Sequence, residues 1–174
     1  MKISSQEEYG LRCLLCLVRA QDTGHAPTIP EIAATEGLSA PYVAKLLAVL
    51  RHGGIVESAR GRTGGYHLAT PAAQVSLGKV LMVLGEPLFD EPNFCERHKG
   101  SETDGECVHL GDCNLRAVWQ TLETWMRGAL DQITLADLVQ SEGQITDLLR
   151  RKLVQAMQAP GPADLVPLTV LSTQ

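Results

Sequence analysis

Apolar residues recur at three-to-four spacing over residues 7–20, where Leu11, Leu14, Leu15 and Val18 form one stripe. This spacing predicts a helix, with Ser4 or Ser5 as its cap and Asp22-Thr23-Gly24 as its end. A second, shorter helix opens at Thr28 or Ile29, with Pro30 in its first turn, Glu31 at its positive end and Gly37 at its stop. Ser39 begins a third, with Pro41 in the first turn, Val43, Leu46, Leu47 and Leu50 as the buried stripe, and Gly53-Gly54 as terminator. The period then changes. Residues 55–58 and 66–69 read as two short strands, and the glycine-rich, basic stretch 59–65 joins them into a hairpin. A short helix follows over 77–84. An amphipathic helix over 114–131 carries Leu115, Val118, Trp119, Leu122, Trp125, Met126 and Leu130. Residues 134–154 add one or two helical turns, and Ala159-Pro160-Gly161-Pro162 begins a flexible tail over 159–174.

With 44% hydrophobic and 20% charged residues among 174, the composition is that of a globular chain and excludes wholesale disorder. No stretch approaches the roughly 20 apolar residues a membrane-spanning helix needs, and acidic Glu7 and Glu8 precede the first apolar run, so a cytoplasmic protein is expected. The net charge of −5 argues against a polyanionic partner until it is divided along the chain. Residues 1–75 hold seven basic and six acidic side chains, a balance of +1, and the remainder holds eight against fourteen, a balance of −6. Local charge governs attraction to phosphate, so the front half remains able to bind DNA if its cations share a face.

Two helices joined at Gly37-Leu38 and followed by a basic hairpin give the order of a winged helix-turn-helix over residues 1–84, in a fold that is mainly α with a small β-hairpin wing. In that order the third helix is the one that enters the major groove. Its leading end carries Ser39, Pro41 and Tyr42, with Lys45 one turn later, all within reach of phosphates or base edges. The wing offers Arg60, Arg62 and Thr63 around Gly61, where arginine suits a phosphate or a narrow groove. Helix pairs with a glycine turn also occur in plain helical domains; Tyr42 also reads as a partly exposed core residue, and Arg51 as a solvated helix end.

Between the wing domain and the long helix, residues 85–113 hold eight acidic residues and three of the five cysteines, with prolines and glycines spaced among them. Such a segment cannot bury a core by itself. Eleven residues separate Cys95 from Cys107 and five separate Cys107 from Cys113. Three thiolates favour an iron–sulfur cluster, zinc or copper, and ligation would order the segment. The close Cys-x-x-Cys pairs usual in structural zinc sites are missing here. The bland alternative is three free surface thiols, an oxidation liability without a role. His98 and His109 lie in the same segment as rival further ligands or as solvated imidazoles. Cys13 and Cys16 do form a Cys-x-x-Cys pair, but mid-helix among leucines, where they read as small buried side chains.

Glu8-Tyr9-Gly10-Leu11-Arg12, Glu31-Ile32-Ala33, the run from Leu50 to Gly61, Gly64-Gly65-Tyr66-His67-Leu68 and Thr134-Leu135-Ala136-Asp137-Leu138 together resemble the Rrf2 family of bacterial transcription regulators over roughly residues 1 to 140. The resemblance implies a homodimer on a palindromic double-stranded operator, with 114–131 as the dimerisation helix and 114–158 as the dimerisation and C-terminal helical segment. Cluster-binding members carry three cysteines just before that helix, which implies Cys95, Cys107 and Cys113 as ligands, although the gap after Cys95 is longer than the family's. One subgroup adds a histidine three residues after its last cysteine, where this chain has Arg116, and another a histidine on the first helix, where it has Arg12. A third uses a carboxylate near the start of the first helix, reaching across from the other subunit, and Glu8 stands at the matching place.

The resemblance therefore implies a repressor whose operator affinity follows a 4Fe-4S cluster, in preference to 2Fe-2S, that senses nitric oxide, redox state or iron. The competing readings are a cluster-free regulator of the same fold that responds through thiol oxidation or a protein partner, and a thiol or zinc enzyme. No catalytic His/Asp constellation accompanies the cysteines to support the enzyme.

Overall fold

The computed structural model describes residues 3–21, 23–59, 64–87, 89, 91–100, 107–109 and 111–158. Helix α1 (Ser5–Gln21) starts with a reciprocal cap, in which the Ser4 backbone N–H donates to Glu7 Oε2 at 2.7 Å and the Glu7 N–H donates to Ser4 Oγ at 3.2 Å. Helix α2 (Ile29–Glu36) opens at Thr28, whose N–H and hydroxyl both donate to Glu31 Oε2 at 2.7 Å. It closes at Gly37, which takes φ +67°, and the Leu38 N–H bonds back to the Ala33 carbonyl at 3.0 Å. Only a residue free of Cβ crowding holds that left-handed turn without strain.

Helix α3 (Ala40–His52) follows, with Ser39 at its N-cap; there the Ser39 carbonyl, and not its hydroxyl, takes up the N–H groups of Tyr42 and Val43. Val43, Leu46, Leu47 and Leu50 are all fully buried, as their spacing predicts. They pack with Leu14 and Leu17 of α1, Ile32 of α2, and Ile55 and Val56 beyond the helix in a single core. Each such side chain contributes on the order of 2 kcal/mol by leaving water. In α1 the buried face is Cys13, Leu14, Leu17 and Val18, whereas Leu11 and Leu15 are only half-buried, a rotation of the stripe relative to the sequence expectation.

Strands β1 (Val56–Ser58) and β2 (Tyr66–Leu68) pair antiparallel in the register Val56↔Leu68, Glu57↔His67 and Ser58↔Tyr66. The hairpin is anchored on its second side too, because the Tyr66 N–H donates to the Pro27 carbonyl at 2.9 Å. That approach requires Gly65, where an added Cβ would run into the Ala26 carbonyl.

Helix α4 (Leu77–Leu84) is capped by Ser76, whose Oγ accepts the Lys79 N–H at 3.1 Å, and its far end is tied to α1 by Gln6 Nε2 donating to the Leu84 carbonyl at 2.5 Å. Within the segment expected to bury no core by itself, a helix, α5 (Glu91–Arg97), forms, and the ring of buried Phe89 lies tilted against Phe94 with centroids 5.0 Å apart. A local aromatic contact thus supplies apolar burial where the segment's charge and proline content gave no sign of it.

Helix α6 (Asn114–Asp131) matches its predicted span. Its end is stitched to the start of α4: Ser76 Oγ donates to Asp131 Oδ1 at 2.9 Å, the Leu77 N–H to the Ile133 carbonyl at 2.7 Å and the Leu135 N–H to the Val75 carbonyl at 3.0 Å. Where one or two further turns are expected, the chain forms a short 3-10 turn at Asp137–Val139 and then a 17-residue helix, α7 (Glu142–Gln158). Lys152 of α7 donates to Asp137 Oδ2 at 2.6 Å and to the Gln132 carbonyl at 2.7 Å, pinning the helix to the end of α6. The expected tail, 159–174, lies outside the described residues.

Gly65→Ala is expected to lower stability by roughly 2 kcal/mol through forced displacement of the wing from residues 26 and 27, read by thermal melting. An unchanged melting curve would show that the close approach is not required. Burial pushes the Asp137 carboxyl upward, but the hydrogen bonds from Lys152 and Thr134 outweigh it and hold the pKa below the usual Asp value. A depressed carboxylate stabilises the fold above its unfolded pKa of about 4, and that contribution is lost as pH falls through the lower folded value. Acid titration followed by hydrogen exchange should show α7 loosening in that window in the parent, with Asp137→Asn already loosened at neutral pH.

Candidate nucleic-acid interface and cysteine segment

Burial of one face of α3 decides what the other face presents. Pro41, Lys45, Ala48 and His52 lie outward at three-to-four spacing, joined by exposed Arg51, with exposed Ser39 leading them. Tyr42 is half-buried and packs against the core, its ring edge-on to Tyr9 of α1 with centroids 6.0 Å apart and planes at 83°. Of the predicted contact residues, Ser39, Pro41, Tyr42 and Lys45 therefore share the leading end of one helix. Arg60, Arg62 and Thr63 lie outside the described residues. On β2, His67 is exposed and its Nδ1 lies 3.1 Å from the Glu57 carbonyl.

One residue of this surface is not legible in the sequence. Arg12 of α1 donates through Nε to Glu36 Oε2 at 2.9 Å and through Nη2 to the Glu36 carbonyl at 2.7 Å. Its guanidinium also lies 5.5 Å from the centroid of the Tyr9 ring. The hydrogen bond to Glu36, more than any other influence, raises the Arg12 pKa. Residues 24 apart offer no local signal for such a pair; the only hint is an acid standing just before the glycine that ends α2.

The three cysteines between wing and long helix sit on three pieces of chain. Cys95 lies on α5. His98 follows it three residues later, its ring 4.5 Å from Phe94 and its Nδ1 2.8 Å from the Phe94 carbonyl, a contact that places a proton on Nδ1. Cys107 stands just before a turn that holds His109, with the imidazole exposed. Cys113 is the N-cap of α6, its Sγ accepting the Arg116 N–H at 3.4 Å, and so stands at the positive end of an 18-residue helix, where an anionic ligand atom is favoured. Glu8 is exposed on α1, one turn before Arg12. Three sulfurs with a carboxylate or imidazole suit a soft metal group chemically. Among the described residues, however, no group of three or more His, Cys, Asp or Glu side chains is placed to hold a metal ion.

Cys13 and Cys16 differ in kind. Cys13 is 0% exposed, and burial, followed by the nearby Glu36 charge, pushes its thiol up to about 11; burial raises Cys16 as well. Neither is poised as a thiolate at neutral pH.

Helix α6 leaves an apolar face uncovered along its first two-thirds, with Leu115 at 65% exposure and Val118, Trp119, Leu122 and Trp125 also exposed. On its adjoining face Glu123 is 9% exposed and paired with Arg127.

An outward third helix behind a left-handed turn, followed by an antiparallel hairpin, is the arrangement of a winged helix-turn-helix DNA-binding protein. Residues 3–141 match the Rrf2 family, described as an iron-dependent transcriptional regulator, and the chain belongs to that family. It is 36% identical over 138 residues to the HTH-type transcriptional regulator slr0846 of Synechocystis, which covers 79% of this chain and 87% of that protein. Among solved structures it is similar to T. potens IscR, at TM-score 0.60 and 29% identity over 80% of this chain and 86% of that one. It is also similar to CymR, the global cysteine regulator of B. subtilis, at TM-score 0.60 and 27% identity over 80% and 96%. The chain is a DNA-binding transcription regulator and not an enzyme. Among the described residues no helix is long and apolar enough to cross a membrane.

Alkylation of the native, metal-free protein with iodoacetamide at mildly alkaline pH should modify Cys95, Cys107 and Cys113 and spare Cys13, as read by peptide mass spectrometry. Equal labelling of Cys13 would contradict its burial and raised pKa.

Proposed function

We propose that this regulator's hold on a palindromic operator is set by an iron–sulfur cluster, 4Fe-4S in preference to 2Fe-2S, with Cys95, Cys107 and Cys113 of one protomer and the partner subunit's Glu8 as ligands. The observation that supports the reading is the placement of Cys113, a thiol that caps α6. Ligation there acts directly on the helix whose apolar face calls for a second copy. Exposed Leu115, Val118, Trp119, Leu122 and Trp125 support a homodimer built on α6, since a contiguous apolar patch of that kind marks an interface.

In such a dimer the cysteines of one protomer and Glu8 of the other join the start of α6 to α1 across the interface. Helix α1 packs on α3, so release of a ligand would change the spacing of the two recognition helices and with it operator affinity. The group itself would supply reactivity toward nitric oxide, oxidants or iron loss. Glu8 would be a hard ligand on a soft site, and hence the point at which a small molecule displaces protein. Repression follows if the ligated form is the one that occupies the operator.

A second reading, thiol oxidation without a cluster, is favoured by the likeness to CymR and by the separation of the three cysteines among the described residues. Anaerobic purification with ample iron and sulfide separates the two. The cluster reading expects a coloured protein with matching iron and sulfide counts, loss of colour in Cys113→Ala, and an operator affinity that shifts roughly tenfold when the cluster is removed. Glu8→Ala should keep the colour and alter sensitivity to nitric oxide. A colourless, iron-free product would defeat the cluster reading and leave the thiol one.

A further inference from the structure

We infer that Arg12 is a positioning residue for the recognition helix, holding both the turn before α3 and, through Tyr9, the aromatic ring at its leading end. The inference rests on the reading of α3 as the helix that meets the bases.

The geometry has two arms. The first runs to Glu36, the last residue of α2, where Arg12 takes the carboxylate with Nε and the backbone carbonyl with Nη2. That carbonyl belongs to the final turn of α2, whose last four carbonyls have no partner within the helix. The next residues are Gly37 at φ +67°, Leu38 and the N-cap Ser39, so α1 grips the connection from which α3 starts. The second arm runs to Tyr9, one turn earlier on α1. The guanidinium packs against this ring, and the ring meets Tyr42 edge-on. Tyr42 is the third residue of α3 and half-buried, and the edge-on contact with Tyr9 limits the positions its ring can take.

The fork geometry of arginine explains why this residue type serves. Two donors on one rigid plane reach a side-chain oxygen and a main-chain oxygen at once while the same cationic group stands over an aromatic ring. Lysine offers a point charge and no face. The Arg12 side chain is 39% exposed but that of Glu36 only 10%, so losing Arg12 leaves a largely buried carboxylate without its partner and costs stability as well. The consequence that marks a positioning role is the one for orientation. Base discrimination depends on side chains held within a fraction of an ångström, whereas phosphate attraction tolerates displacement.

The test uses full-length protein, an operator duplex selected by the parent protein from a randomised library, and a scrambled duplex of equal length. Arg12→Met should weaken operator binding about tenfold, the size of one lost base contact, and leave scrambled-duplex binding within about twofold. Arg12→Lys, which keeps the charge, should fall between, at about a threefold loss of discrimination. In a Tyr42→Ala background the same Arg12→Met change should cost less than about twofold further, because its effect passes through that ring. Full discrimination in both Arg12 variants, an equal loss on both duplexes, or additivity with Tyr42→Ala would each overturn the inference. Should Arg12→Met fail to fold, Arg12→Lys decides alone, with discrimination equal to the parent's counting against the role. If Tyr42→Ala and Lys45→Ala both leave discrimination intact, the recognition-helix reading has failed and the role of Arg12 falls with it. If those two lower discrimination and the Arg12 variants do not, only the role of Arg12 is refuted.

Discussion

Burial of the stripe Val43, Leu46, Leu47 and Leu50 is the constraint on which the rest of this molecule depends. A helix turns 100° per residue, so four fully buried side chains on one face leave no freedom in which residues face outward. Pro41, Lys45, Ala48 and His52 are presented because their neighbours are held in a core shared with Leu14, Leu17 and Ile32. The rotation of the outward face of α3 is thus a by-product of apolar packing, and the polar contacts refine it. Gly37 sets the angle at which α3 leaves α2, and the fork of Arg12 closes over that turn from α1.

The same logic governs the other half of the chain in reverse. Helix α6 is tied down at its C-terminal end, where Asp131, Ile133 and Leu135 bond to residues 75–77, and its first two-thirds keep an apolar face in the open. A helix held at one end with an apolar face in the open offers that face to a partner. At its other end the cap is a thiol, Cys113, whose Sγ accepts the Arg116 N–H.

Several elements were legible in the chain before any coordinates. The α3 stripe, the hairpin, α4 and the limits of α6 follow from periodicity and from Gly and Pro placement, signals that are local and that tertiary packing reinforces here. The stripe on α1 was displaced, because Cys13 and Leu17 pack inward in place of Leu11 and Leu15 once α1 meets both α3 and β2. Helix α5 was hidden by acidic and proline-rich composition, and it carries the Phe94 ring against buried Phe89. Helix α7 extends beyond its expected turns because Lys152 reaches Asp137 and the Gln132 carbonyl, partners that no window of sequence contains.

The sequence by itself determined the class of fold, the order of the first four helices, the wing and α6, the family and the residue types available for ligation. Each of these depends on short-range pattern, on the conformational limits of Gly and Pro, or on motifs read in order along the chain. The tertiary structure alone decided that Arg12 grips Glu36 and backs Tyr9, that Gly65 must lie against Ala26, that Glu123 is buried beside Arg127 and that Cys113 is a helix cap as well as a thiol. Most of these depend on which faces of separate elements come to lie together, and that is settled by the simultaneous packing of the whole core and not by any one stretch of chain.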